Sequence, residues 1–129
     1  MLVVSNTSPI CNLAVIGRLS LLQAQFGKVL IPEAVKAELE QLTSPEAARH
    51  VRQALQDGWI EPQAVREQQV ARVLEASLDP GEAEAIALAL ELSAGLILLD
   101  ERDGRAAAEH AGLRVTGVLG LMQIGRAHV

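Results

Sequence analysis

Cysteine and aromatic side chains are nearly missing from this chain, and acidic residues outnumber basic ones. Cys11 is the one cysteine in 129 residues, so no internal disulfide can form and the usage fits a reducing compartment. No histidine follows it in a pattern that would make it a nucleophile, and its apolar helical surroundings read as core. Aromatics make up 2% of the chain, Trp59 and Phe26, too few for the base-stacking platforms of single-strand nucleic-acid binders. The formal net charge of -5 argues against tight nucleic-acid binding through a general basic surface. It leaves nucleic acid open as a substrate, because a hydrolase that gathers carboxylates around a divalent cation is itself locally acidic. A basic-start signal segment and an apolar run of spanning length are both lacking, so the expectation is a cytoplasmic protein without membrane contact.

What is present is aliphatic. Half the residues are apolar, dominated by Ala, Leu, Val and Ile, as helices packed over a parallel sheet require. The length suits one domain. Apolar runs at 2–5, 28–31 and 96–99 read as strands, with shorter ones at Trp59-Ile60 and Arg114 to Thr116. Between them, Thr7-Ser8-Pro9 opens a helix over Pro9 to Val15, and a second runs from Leu19 to Phe26, stopped by Gly27. Pro32 opens a third, Ser44-Pro45-Glu46 caps a fourth that Gly58 ends, and Val65 to Leu78 is helical by periodicity. Asp79-Pro80-Gly81-Glu82 is a capping box starting a helix that runs to about Leu92, and a last one spans Gly104 to Ala111.

After Gly117 to Met122, which begins another helix, the chain ends in a stretch with no structural logic. Residues Ile124 to Val129 are what a widely used sequencing-adapter DNA encodes when read in frame. The expectation is therefore a domain over 1–122 that lacks its C-terminal helices, with 123–129 an artefactual tail whose His128 carries no functional weight. An apolar face left by such a truncation would favour a homodimer.

The candidate chemistry sits at strand ends. Leu2-Val3-Val4-Ser5 runs into Asn6 and Leu96-Ile97-Leu98-Leu99 into Asp100. In an open α/β sheet, ligands gather beyond the carboxyl ends of strands where the winding reverses. If the strand order is 3-2-1-4-5, Asn6 and Asp100 flank that point, and Asp103 reaches the same space. Glu38 on the third helix and Glu84 on the capping-box helix can line the same cleft. Glu82, two residues from Glu84, cannot share its face and is assigned to the cap. Such hard oxygen donors select Mg2+ or Mn2+, and an ion so held suits phosphodiester hydrolysis. Each acid also has a plainer reading: solvated helix surface for Glu38 and Glu84, a helix cap for Asp100 or Asp103, an Asx-turn for Asn6.

Four segments in register, Val4-Ser5-Asn6-Thr7-Ser8-Pro9, Ile31-Pro32-Glu33-Ala34-Val35 with Glu38-Leu39, Gly81 to Ala89, and Leu99 to Arg105, resemble the PIN-domain nucleases, most closely a VapC-like prokaryotic branch. The resemblance spans Leu2 to Leu121. It implies a three-layer α/β fold with a parallel sheet of order 3-2-1-4-5 and helices on both faces. By similarity it also implies a metal-dependent endoribonuclease, often the toxin paired with a small antitoxin protein, acting on RNA. The family's first acid maps to Asn6, its hydroxyl to Thr7 or Ser8, its second and third acids to Glu38 and Glu84, and its last pair to Asp100 and Asp103. Asn6, Glu84, Asp100 and Asp103 would hold the metal, and Arg102 and Arg105 would steer phosphate. Asn6 departs from the pattern, placing a neutral carbonyl where the family has Asp. That departure keeps a second class in view: a binding module that retains the fold and has lost catalysis. A phosphoacceptor receiver fits less well, since its first-strand acid is an amide here and Lys28 and Lys36 both precede the later strands.

Overall fold

The computed structural model describes residues 1–127, with side chains placed through Gln123; His128 lies outside the described residues. Five short strands, β1 (Val3–Ser5), β2 (Val29–Ile31), β3 (Ile60–Pro62), β4 (Leu96–Leu98) and β5 (Val115–Thr116), form one sheet of order β3-β2-β1-β4-β5. Every pairing is parallel, with Val4 opposite Leu30 on one side and Ile97 on the other. The 3-2-1-4-5 order is thus the expected one, with its reversal between β1 and β4.

The period of two along each strand sorts side chains onto two faces. Val3, Val29, Ile31, Ile60 and Leu98 join one core under α1 (Thr7–Val15), α2 (Ser20–Phe26), α3 (Glu33–Leu39), α4 (Pro45–Asp57) and α8 (Val118–Ala127). Val4, Leu30, Ile97 and Leu99 join the other, under α5 (Gln68–Leu74), α6 (Pro80–Glu91) and α7 (Arg102–His110). A sheet buried on both faces makes its strands apolar throughout, which is why each read as a run and not as an alternation. None of the described helices is long and apolar enough to cross a membrane.

Local signals were strongest at caps. Ser44 Oγ accepts the Ala47 N–H at 3.3 Å, and Gly58 ends α4 in the left-handed region at φ 80°. The capping box of α6 is complete: Asp79 Oδ1 accepts from the Glu82 N–H at 2.8 Å, and Glu82 Oε1 accepts from the Asp79 N–H at 3.3 Å.

Other boundaries differ from expectation for identifiable reasons. Helix α1 begins at Thr7, with Asn6 as its cap residue and Pro9 inside the first turn, where a missing N–H leaves no bond unmade. Pro62 lies within β3, which it can do because β3 is the sheet edge. Helix α5 covers only Gln68–Leu74 of the expected Val65 to Leu78; the Glu91 carboxylate takes the Arg66 and Glu67 N–H groups at 2.9 and 2.8 Å and holds that stretch outside the helix. Helix α7 starts at Arg102, not Gly104, and neither Asp100 nor Asp103 caps it; Glu101 stands at the cap position with no side-chain bond. Helix α8 continues to Ala127, past Met122.

Candidate functional site

Asn6 and Leu99 leave the sheet on neighbouring strands at the reversal, tied by the Asn6 N–H to Leu98 carbonyl bond of 3.0 Å. The Asn6 backbone is paired, but two side-chain oxygens here are not. The residue is 3% exposed, and its Oδ1 has no hydrogen-bond partner; nor has the buried Thr7 hydroxyl beside it. A buried acceptor left open in this way is uncommon and needs a reason.

The reason lies in what converges on it. Gly81, in the first turn of α6, is packed so closely that a side chain there would collide with Glu38 Oε1 and would sit 3.1 Å from Asn6 Oδ1. Two oxygen donors, one from the residue that follows β1 and one from α3, therefore meet over the N-terminus of α6. Glu38 is exposed as a residue, yet its Oε1 lies against Gly81. Burial, followed by the charge of Asp79, pushes the Glu38 carboxyl above its ordinary value; the Thr7 hydroxyl pulls the other way from nearby, without forming a well-aligned bond.

The remaining candidates are placed differently. Glu84, half-buried, accepts the Ala34 N–H on its Oε1 at 3.2 Å, at the start of α3. Asp100 accepts one bond on each oxygen: Oδ1 from the Val118 N–H at 2.7 Å, in the first turn of α8, and Oδ2 from Asn12 Nδ2 at 3.0 Å. Asp103 is exposed on the first turn of α7, and Ser8 is half-buried in the first turn of α1. Arg102 and Arg105 are exposed and share with Asp100 a shallow cleft along α7. Among the described residues, no three His, Cys, Asp or Glu side chains gather into one group. The structure thus unites Asn6, Thr7 and Glu38, and sets Asp100 in a second cluster beyond them.

Three neighbours escaped the sequence reading. Asn12 interrupts an apolar helical run, a signal that could have drawn notice, and proves to hold Asp100. Gly81 carries no chemical group to flag it. Glu82, assigned only to the cap, is 6% exposed and leaves its Oε2 unpartnered against Gly104, 2.6 Å from where a side chain on that glycine would begin. Burial chiefly, opposed by the Asp79 N–H bond and reinforced by the Asp79 and Glu101 charges, raises the Glu82 carboxyl above the usual range.

A parallel α/β sandwich with an amide, a hydroxyl and a carboxylate at its reversal point defines a class of α/β proteins whose ligand site lies at the carboxyl edge of the sheet. Within that class the chain belongs to the PIN-domain family, whose model matches residues 2–127. PIN domains are usually nucleases, hydrolases that typically use divalent metal ions. The fold is similar to that of a PilT N-terminus domain protein, SSO1118, from the hyperthermophilic archaeon Sulfolobus solfataricus P2, with a TM-score of 0.64 at 20% identity, covering 95% of this chain and 92% of that one. Comparison with curated proteins finds no match.

Proposed function

We propose that this protein is a Mg2+- or Mn2+-dependent ribonuclease that hydrolyses RNA phosphodiesters, acting as the toxin of a toxin–antitoxin pair. The observation that carries the reading is the buried, unpartnered Asn6 Oδ1 converging with Glu38 Oε1 over Gly81. These are hard oxygen donors, and Mg2+ is commonly held by one or two carboxylates with water filling its other positions, so the residues present fit such an ion. Asn6 and Glu38 would hold it. When bound, the ion supplies charge stabilisation at phosphate and a lowered pKa for water. The Thr7 hydroxyl, free of other bonds, is available to orient substrate or water, and the exposed Arg102 and Arg105 are available to the phosphate backbone.

Incubation of structured and unstructured RNA with the protein and Mn2+ tests this, with Glu38→Gln alongside. Cleavage that requires Mn2+ and disappears in Glu38→Gln is the expected result; cleavage unaffected by that substitution, or none with the intact protein, overturns it.

A second reading is supported by Asn6 itself. An amide in place of a carboxylate weakens attraction for a divalent cation, which suits a PIN-like module that binds RNA or an antitoxin without cutting. RNA retention in a gel-shift assay without Mn2+-dependent products would favour it.

A further inference from the structure

We propose that Gly81 is a positioning residue of this edge, and that its missing side chain is what allows the Glu38 carboxyl and the Asn6 amide to meet. This rests on the reading of the edge as a metal-dependent nuclease centre. Three elements arrive there from different directions: β1 delivers Asn6, α3 delivers Glu38, and α6 delivers its first turn. The capping box of Asp79 and Glu82 fixes where that turn begins, and Gly81 is buried within it. Its backbone φ is not in the left-handed region, so glycine is not demanded there by conformation. Space is the remaining reason. A Cβ would occupy the place now taken by Glu38 Oε1 and crowd Asn6 Oδ1 at 3.1 Å.

The two neighbours differ in how they can respond. Asn6 is 3% exposed and anchored in backbone by its bond to Leu98, whereas Glu38 is the end of a flexible side chain on an exposed helix face. A methyl group at position 81 therefore displaces the carboxylate toward solvent and leaves the amide in place. The fold survives such a change; the pair of donors does not. Gly104 offers the contrast within the same molecule: a side chain there meets the carboxyl of Glu82, which its capping-box bond holds in place.

The test is Mn2+ titration calorimetry on Gly81→Ala, joined to a crystal structure of the same variant. The expected result is a loss of affinity of about tenfold or more with Glu38 turned outward, within the range seen when the supports of a metal ligand are removed. Adding Glu38→Asp, which withdraws the carboxylate by one methylene, should restore part of the affinity in the Gly81→Ala background. Val51→Ala, a core change on α4, controls for stability: it should lower the melting temperature and leave Mn2+ affinity as it was. Parental affinity in Gly81→Ala, or a further loss when Glu38 is shortened, overturns the assignment. Should the unsubstituted protein bind no Mn2+, the nuclease reading fails by itself. The crystal structure then decides this one, since an unmoved Glu38 refutes it and an outward Glu38 upholds it.

Discussion

Two polar clusters stand a strand apart at the same edge of the sheet, and they are opposites. Asp100 has both carboxylate oxygens bonded, to the α8 backbone and to Asn12, whereas Asn6 and Thr7 keep buried oxygens with no partner and face a Glu38 whose proton is held more tightly than usual. The Asp100 carboxylate already holds the α8 backbone and Asn12, with one bond on each oxygen. Open buried acceptors cost about 1–3 kcal/mol each, and that cost is tolerated where a ligand completes them. The comparison separates a carboxylate that already ties two helices from two oxygens that nothing yet completes.

The strongest way to break it is to neutralise one acid from each cluster. Glu38→Gln should weaken Mn2+ binding by about 100-fold, the upper range for disrupted metal surroundings, while unfolding free energy at neutral pH should rise slightly, because the substitution removes a charge that burial and Asp79 disfavour. Calorimetry beside urea denaturation reads both quantities. If Asp100→Asn gives the larger loss of affinity, the assignment of roles is reversed.

Asn6→Asp probes the open cluster from the other side. It restores an anionic donor and should tighten Mg2+ about tenfold, about 1.4 kcal/mol, as a charged oxygen replaces a neutral one. Without metal the new charge faces Glu38 and Asp79, so the apoprotein should melt at a lower temperature and regain it when Mg2+ is added. Unchanged affinity by calorimetry would remove Asn6 from the donor set.

These residues also show what the sequence could and could not disclose. The sheet order, the apolar strands and the α4 and α6 caps were legible because each depends on neighbours in the chain: a period, a capping residue, a glycine stop. The gathering of donors depends on where side chains point after the strands end, and spacing does not fix that. Glu84 turned to the first turn of α3 and Asp100 to that of α8, since helix N-termini offer unpaired N–H groups that compete for any carboxylate within reach. Arg66 and Glu67 lay outside α5 for a related reason, their N–H groups being claimed by Glu91 from another helix. Gly81 was invisible because its contribution is an empty volume.

In the bonded cluster, Asp100→Ala should cost about 1 kcal/mol of stability, the usual loss when a side chain that satisfies a helix N-terminus is removed. Urea unfolding measures this, and amide exchange should show Val118 among the groups that lose protection. An unchanged midpoint would mean that the bonds of Asp100 do not hold α8, and the contrast between the clusters would lose one arm.

The smallest expected effect concerns Glu82, which belongs to neither cluster yet shares a cap with Asp79. Its folded carboxyl binds its proton above the ordinary value of 4.5, through burial first and the Asp79 and Glu101 charges after it. The native state therefore holds more protons than the unfolded chain just above that value, so stability falls as pH rises from about 4.5 through the raised folded value and levels off beyond it. Glu82→Gln keeps the acceptor for the Asp79 N–H and removes the charge. It should flatten that slope and raise stability at neutral pH, because the charge that the native state disfavours is gone. Thermal unfolding between pH 4 and pH 8 would show two converging curves, with the variant above the parent at the alkaline end. A variant that runs parallel to the parent would mean that the Glu82 carboxyl does not set that slope.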